Sequence, residues 1–163
     1  MNNDIFSKTL ENLKSQKFNV IDKDTERPWG GFFVISENNA QDFYNIYFNG
    51  LNTEELKVSG KLSPKILIIA PNKRLSWQYH HRRSEIWKVV SGDIKVVTSD
   101  DDVERNEFLL KKGDEIKLAR GERHRIIGTD DYAVVAEIWI HTDKDNPSDE
   151  DDIVRVQDDF NRK

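Results

Sequence analysis

The chain has 163 residues, a formal net charge of −5 and no cysteine. This length suits one domain of ordinary size, and the missing cysteines exclude disulfides and thiolate metal sites. The negative charge argues against a nucleic-acid-binding protein.

The N-terminal segment carries the pattern of a short helix. Residues 4–16 place Ile5, Phe6, Leu10 and Leu13 at helical spacing behind Asp4, a residue that favours helix starts. We predict an amphipathic helix that packs on the domain or on a partner. The same segment lacks the basic and apolar regions of a signal peptide, and no apolar run reaches the ~20 residues of a membrane span. We therefore expect a cytoplasmic protein without a membrane partner.

The next elements are a turn and a strand. Residues 27–31 combine proline with two glycines, and the aromatic and β-branched run 32–35 follows as a predicted strand. Residues 40–49 fit either a helix or an extended segment, and the pattern leaves both open.

Short β-branched or aromatic runs then recur, separated by turn residues, and no long helix interrupts them. Evenly spaced short strands predict an all-β sandwich or barrel rather than a parallel sheet. The acidic stretch 143–152 is expected to form a solvated loop, after which residues 153–156 return to the domain. The predicted strands are 66–70, 75–80, 86–90, 94–98, 107–110, 115–118, 123–127 and 133–140.

Four polar residues in two clusters predict a metal site. Gln78 and His80 are two apart on a predicted strand and share a face, and a turn brings Glu85 back beside them on the next strand. Gly121 marks a turn that places His124 on another strand. Two imidazoles, a carboxylate and an amide oxygen suit one divalent ion of Zn, Mn, Fe, Co or Ni.

The spacing of these clusters resembles the paired motifs of the cupin superfamily. The resemblance covers both halves of the pattern and departs from it in identity at Gln78, Ala119 and Gly128. It implies a jelly-roll barrel, also called a double-stranded β-helix, with a short N-terminal helix. We expect residues 1–26 to form that helix and an arm, and residues 27–163 to form a single barrel domain with a C-terminal extension.

Three runs narrow the resemblance to the type II mannose-6-phosphate isomerase domain. They are RPWG at 27–30, LSWQYHHRRSEIWKVVSG at 75–92 and EDDIVR at 150–155. The resemblance covers residues 27–35 and 66–162. Family members usually carry histidine where Arg82 and Ile86 stand, and neither position belongs to the predicted ligand set.

The resemblance implies an aldose–ketose isomerase that acts on a sugar phosphate. Such a reaction moves a proton between C1 and C2 through an enediol, with the metal as a Lewis acid. Glu137, a carboxylate within an apolar strand, is the candidate general base. Guanidinium groups match phosphate geometry, and Arg82, Arg123 and Arg155 are the candidate phosphate ligands.

Other functions remain open at this point. The main alternative is a non-catalytic cupin that binds a sugar or sugar phosphate in polysaccharide biosynthesis. A metal cupin oxygenase and a metal-free sugar-nucleotide epimerase are weaker alternatives. We also expect a homodimer, because the N-terminal helix and the outward alternates Trp77, Tyr79 and Ile86 suggest an apolar patch.

Overall fold

The computed structural model describes residues 2–48 and 61–162, and within these ranges the protein is built mainly of antiparallel strands. No helix in the described part of the chain is long and apolar enough to cross a membrane. The helices are α1 Asn2–Ser15 and α2 Ala40–Tyr47. The strands are β1 Val20–Arg27, β2 Gly30–Ile35, β3 Lys65–Ile69, β4 Trp77–Tyr79, β5 Arg83–Ser91, β6 Ile94–Ser99, β7 Asn106–Leu110, β8 Glu115–Leu118, β9 Arg123–Gly128, β10 Ala133–His141 and β11 Val154–Gln157.

The strands form two sheets. The first has six strands in the order β1-β2-β3-β10-β5-β8, and the second has five in the order β11-β4-β9-β6-β7. All pairings that join them within each sheet are antiparallel. The all-β barrel architecture predicted from the sequence is therefore confirmed.

The sequence patterns located the central strands and missed one at the edge. Each of the eight runs predicted between residues 66 and 140 overlaps an observed strand. The ambiguous segment 40–49 is helical over Ala40–Tyr47, while its last residue lies outside the described ranges. Strand β1 was not predicted because its sequence, VIDKDTER, is mostly polar and exposed. Its pairing with β2 joins the N-terminal arm to the first sheet.

Two apolar cores lie on opposite faces of the first sheet. On β3, Leu67 and Ile69 contact the core between the two sheets, whereas Ile66 and Ile68 contact a second core beneath the helices. Both faces are buried, so β3 is a continuous apolar run instead of an alternating one. The same division on β10 sends Val135 and Glu137 toward the barrel interior and Ala136 toward the helices.

Both helices cover the outer face of the first sheet. Leu13 of α1 is 1 % exposed, and Phe6 of α1 makes an edge-on contact with Phe33 of β2. In α2, Phe43 contacts Phe18 and Tyr47. The helix predicted over residues 4–16 is thus present, and it packs on its own chain.

The apolar patch that suggested a dimer is largely covered by the chain itself. Ile86 packs against the core beneath the helices. The expectation that Trp77 lies exposed on the outer surface is wrong. It is 1 % exposed, and its indole nitrogen donates to the main-chain oxygen of Asp102 at 2.8 Å. The homodimer itself remains a prediction.

Candidate functional site

A polar cavity opens inside the barrel between the two sheets. Its lining combines the aromatic side chains Trp29, Phe32, Trp87 and Trp139 with charged groups. Three carboxylates reach it, from Glu85, Glu137 and Glu150. Five cationic side chains also line it: Arg27, Lys65, Arg83, Arg155 and Arg162.

Three of the four predicted metal ligands converge within this barrel. His80 follows β4, Glu85 lies on β5 and His124 lies on β9, so the cluster joins both sheets. All three side chains are buried, and one ligand atom from each lies within 4.8 Å of the others. His124 Nε2 is 3.3 Å from Glu85 Oε1, and His80 Nε2 is 3.5 Å from Glu85 Oε2.

Local backbone structure brings His80 and His124 together. Gly121 adopts a φ of 79°, in the left-handed region that glycine tolerates best. Its N–H donates to the main-chain oxygen of His80 at 3.0 Å. This turn precedes β9 and brings the start of that strand beside β4. His124 is the second residue of β9.

Main-chain carbonyls fix the proton positions of both imidazoles. His80 Nδ1 lies 2.7 Å from the carbonyl oxygen of Asp152, and His124 Nδ1 lies 3.0 Å from that of Glu122. Because a carbonyl oxygen only accepts, each Nδ1 carries the proton in these contacts. In its neutral form, each ring therefore presents the Nε2 lone pair to Glu85, as a metal-binding histidine does.

The geometry around His124 fits a bound cation. Its Nε2 is buried and has no hydrogen-bond partner among the described residues. That lone pair and the carboxylate of Glu85 are both acceptors, and they face each other. A divalent ion would satisfy both, and the two imidazoles and one carboxylate are suitable ligands for it.

The fourth predicted ligand, Gln78, lies next to this cluster. It is directly opposite His124 in the β4–β9 pairing, and it lines the cavity. Its amide is therefore placed on the side of the barrel where the sequence expected it. Coordination by Gln78 stays a prediction.

Burial and charge set the protonation states of the cluster. Burial lowers the pKa of His80 to about 4 against the opposing pull of Glu85. Burial alone would raise the pKa of Glu85, but the positive charges of His80 and Arg83 hold it well below its usual value. At neutral pH the site thus offers an ionised carboxylate and a neutral His80.

Arg83 is a buried member of this site that sequence reasoning did not assign. Its Nε donates to Glu85 Oε2 at 2.8 Å, and its guanidinium also lies 3.3 Å from His80 Nε2. Arg82 and Arg83 are adjacent in the sequence and look equivalent there. Because β5 begins at Arg83 and includes Glu85, strand alternation places Arg83 on the inner face with Glu85.

Glu137 lies inside the barrel, as its position in an apolar strand suggested. It is 5 % exposed, and its two oxygens accept hydrogen bonds from two indole nitrogens, Trp87 to Oε2 at 2.8 Å and Trp139 to Oε1 at 2.9 Å. Burial and the negative charge of Glu85 raise the pKa of Glu137 to about 7. A carboxylate of this pKa can exchange a proton near neutral pH.

The acidic stretch near the C-terminus departs from the expected solvated loop at Asp152. This residue is 3 % exposed, and its carboxylate accepts the main-chain N–H groups of His81 and Arg82. Its carbonyl also fixes His80. The acidic composition gave no signal that one of these residues would be buried next to His80.

A comparison with known families finds a match over most of the chain. Residues 39–158 match the family described as mannose-6-phosphate isomerase C-terminal. The chain belongs to this family. It is 30 % identical over 123 residues to the alginate biosynthesis protein AlgA of Pseudomonas aeruginosa, a match that covers 76 % of this chain and 24 % of AlgA. The chain therefore spans about a quarter of that relative's length.

Solved structures support the fold. The capsular polysaccharide assembling protein CapF from Staphylococcus aureus superposes with a TM-score of 0.55 over 86 % of this chain and 31 % of CapF, at 17 % identity. A second CapF structure, with the inhibitor 3-isopropenyl-tropolone, gives a TM-score of 0.56 over 86 % of this chain and 33 % of that chain, at 17 % identity. The cupin fold expected from the resemblance is confirmed.

The two positions at which the family resemblance led us to expect histidine lie outside the cavity. Neither Arg82 nor Ile86 is among the described residues that line the cavity. Ile86 packs beneath the helices, and Arg82 pairs with Asp149 at 3.4 Å. Neither position therefore contributes a side chain to the cavity lining described for this chain.

The three predicted phosphate ligands do not lie together. Arg155 lines the cavity, whereas Arg82 and Arg123 are not among its described lining residues. Arg123 stacks over Tyr79, with the guanidinium carbon 3.7 Å from the ring centroid, and donates to Asp102. Arg27 and Arg162 line the cavity with Arg155, and the sequence pattern gave no reason to group these three.

Proposed function

We propose that the protein is a metal-dependent isomerase that interconverts an aldose phosphate and a ketose phosphate. The observation that carries this proposal is that Glu137 lines the same cavity as Glu85, the carboxylate of the His80–Glu85–His124 cluster. A carboxylate with a pKa of about 7 therefore lies near a cluster of side chains that could hold a metal ion. Mannose 6-phosphate and fructose 6-phosphate are the first substrates to test, because the family description names that chemistry.

The charge of the cavity favours an anionic ligand. Five cationic side chains line it against three carboxylates. Burial and the nearby positive charges of Arg162 and Arg27 lower the pKa of Arg155, so these three guanidinium groups are close enough to influence one another. A phosphate group would relieve their mutual repulsion and match guanidinium geometry.

Glu137 would move the proton between C1 and C2. As a carboxylate it would remove the proton from one carbon, and as an acid it would return it to the other. Trp87 and Trp139 fix its two oxygens, which keeps the carboxylate oriented during both steps. His80, Glu85 and His124, with Gln78 beside them, would hold the metal, which when bound supplies Lewis-acid polarisation of a carbonyl.

A second candidate is a module that binds a sugar phosphate without converting it. Arg83 already pairs with Glu85 and contacts His80, so the cluster contains an internal cation. AlgA and CapF are named for alginate biosynthesis and capsular polysaccharide assembly. A binding role in polysaccharide biosynthesis would use the same cationic cavity.

Proton exchange at C2 separates the two candidates. The purified chain is analysed for bound metals, loaded with each candidate ion, and incubated with mannose 6-phosphate or fructose 6-phosphate in D₂O. NMR should show interconversion of the two sugar phosphates and loss of the C2 proton signal of mannose 6-phosphate, and chelation should stop both. Sugar-phosphate binding without exchange in any metal-loaded form would contradict the isomerase and support the binding module.

A further inference from the structure

Arg83 occupies a position that bears directly on metal binding. It is 5 % exposed, and its side chain contacts two members of the predicted metal cluster. We propose that Arg83 competes with the divalent ion for His80, so that metal binding breaks the Arg83–His80 hydrogen bond and Arg83 weakens the metal affinity of the site. This inference rests on the metal centre of the proposed function.

The competition follows from the number of lone pairs on His80. Its Nδ1 is committed to the carbonyl of Asp152, 2.7 Å away, so Nε2 has the single lone pair that the ring can still offer. A guanidinium nitrogen of Arg83 lies 3.3 Å from that Nε2. One lone pair cannot serve both the N–H of Arg83 and a metal ion.

The contact with Glu85 differs, because a carboxylate oxygen has two lone pairs. Arg83 Nε can keep its 2.8 Å hydrogen bond to Oε2 while the carboxylate also binds a metal. His124 is free of this competition, since its Nε2 has no hydrogen-bond partner in the described part of the chain. The three ligands therefore differ in how readily they can bind an ion, and His80 is the one obstructed.

Other contacts keep Arg83 near the site after His80 is released. One terminal nitrogen donates to Ser148 Oγ at 2.9 Å and to the main-chain oxygen of Asp149 at 3.0 Å. The guanidinium carbon also lies 3.6 Å from the ring centroid of Trp139, a cation–π contact. The positive charge of Arg83 would repel a divalent cation bound next to it, and burial leaves little water to screen that repulsion.

The direct test compares metal affinities of three proteins without any sugar. Chelator-treated wild type, Arg83→Gln and Arg105→Gln are titrated with Zn²⁺ or Co²⁺ by calorimetry at pH 8. Arg105 is an exposed residue paired with Asp101, and its replacement removes the same unit of charge away from the cavity. We expect the dissociation constant of Arg83→Gln to fall at least about tenfold and that of Arg105→Gln to stay at the wild-type value.

A folded Arg83→Gln protein that binds metal no more tightly than wild type would overturn the inference. If that variant does not fold, structures of the wild type with and without metal decide the question. The loaded protein should show Arg83 separated from His80 Nε2 with its Ser148 contact kept, and a bound metal beside an intact Arg83–His80 hydrogen bond would overturn the inference. Tighter metal binding by Arg83→Gln, together with a metal-loaded wild type that shows no isomerase activity, would reject the isomerase alone, whereas no metal binding to any of the three proteins would reject the metal centre and this inference together.

Discussion

The indole nitrogen of Trp87 lies 2.8 Å from Oε2 of Glu137, across a strand pair in which these two residues are directly opposite. Trp139, two residues further along β10, donates to the other oxygen. Both indole donors stabilise the ionised carboxylate, while burial and Glu85 oppose its ionisation. The acidity of Glu137 therefore depends on a balance that single substitutions can shift.

The first prediction concerns the pH dependence of isomerisation. Glu137 acts as a base only when ionised, so kcat/KM should rise with pH through about 7, the pKa of this carboxyl. Trp139→Phe removes a donor that lowers this pKa, so the rise should move to higher pH. Profiles of kcat/KM for wild type and Trp139→Phe test this. Trp77→Phe is the control because its indole donates to Asp102, and an equal shift in both variants would contradict the assignment.

The second prediction tests the catalytic role of Glu137 itself. Glu137→Gln preserves volume but cannot accept a proton, and we expect kcat to fall by about 10²–10⁴-fold, the usual contribution of a general base. Metal content should remain that of the wild type. Glu107→Gln on exposed β7 is the matched control. A loss of less than tenfold would assign the proton transfer to another group.

The sequence predicted the strands and the ligand cluster because both depend on local patterns. Strand alternation and turn glycines suffice to direct His80 and His124 from the second sheet, and Glu85 from the first, toward the barrel interior. The same alternation correctly predicted that the side chain of Trp77 would not point into the cavity. It could not show that Trp77 is buried and donates to Asp102, since that contact joins residues 25 apart in the sequence.

The charged lining of the cavity was harder to predict. Arg155 reaches the cavity from β11, but Arg27 and Arg162 come from separate segments, and only the packed fold brings them together. Arg83 differs from Arg82 by a single position, and the exact start of β5 decides which of them faces inward. Strand boundaries are the least reliable feature of sequence-based prediction.

The third prediction concerns the metal ligands. His80→Ala and His124→Ala should each lose metal binding, because the remaining groups no longer form the His–Glu–His cluster. The apolar core between the sheets does not depend on that ion, so both variants should retain a folded barrel by circular dichroism. His81→Ala, at an exposed position, should bind metal as the wild type does. Complete unfolding of either ligand variant would show that the ion is structural.

The fourth prediction concerns the contribution of α1 to stability. Leu13 of α1 is 1 % exposed and packs in the core between the helices and the first sheet. Leu13→Ala should therefore lower the free energy of unfolding by about 2–5 kcal/mol. Glu11→Ala, on the exposed side of the same helix, should change it by less than about 0.5 kcal/mol. Urea unfolding of both variants measures the difference. Equal stabilities would mean that α1 does not pack on the sheet in solution.

The last prediction is the homodimer, which now requires a different interface. Helix α1 covers its own sheet, so its removal would expose apolar core and cause aggregation whatever the oligomeric state. The exposed apolar side chains Phe108 and Leu109 lie instead on β7, at the edge of the second sheet. An exposed edge strand can pair with a second copy across a two-fold axis.

Leu109→Lys tests this interface because a charge on an edge strand opposes pairing with another strand. Light scattering at tens of micromolar should give twice the monomer mass for wild type and the monomer mass for the variant, with unchanged circular dichroism. Ile46→Lys, at an exposed apolar position on α2, is the control and should remain dimeric. A monomeric wild type at that concentration would exclude the dimer, and a dimeric Leu109→Lys protein would place its interface away from β7.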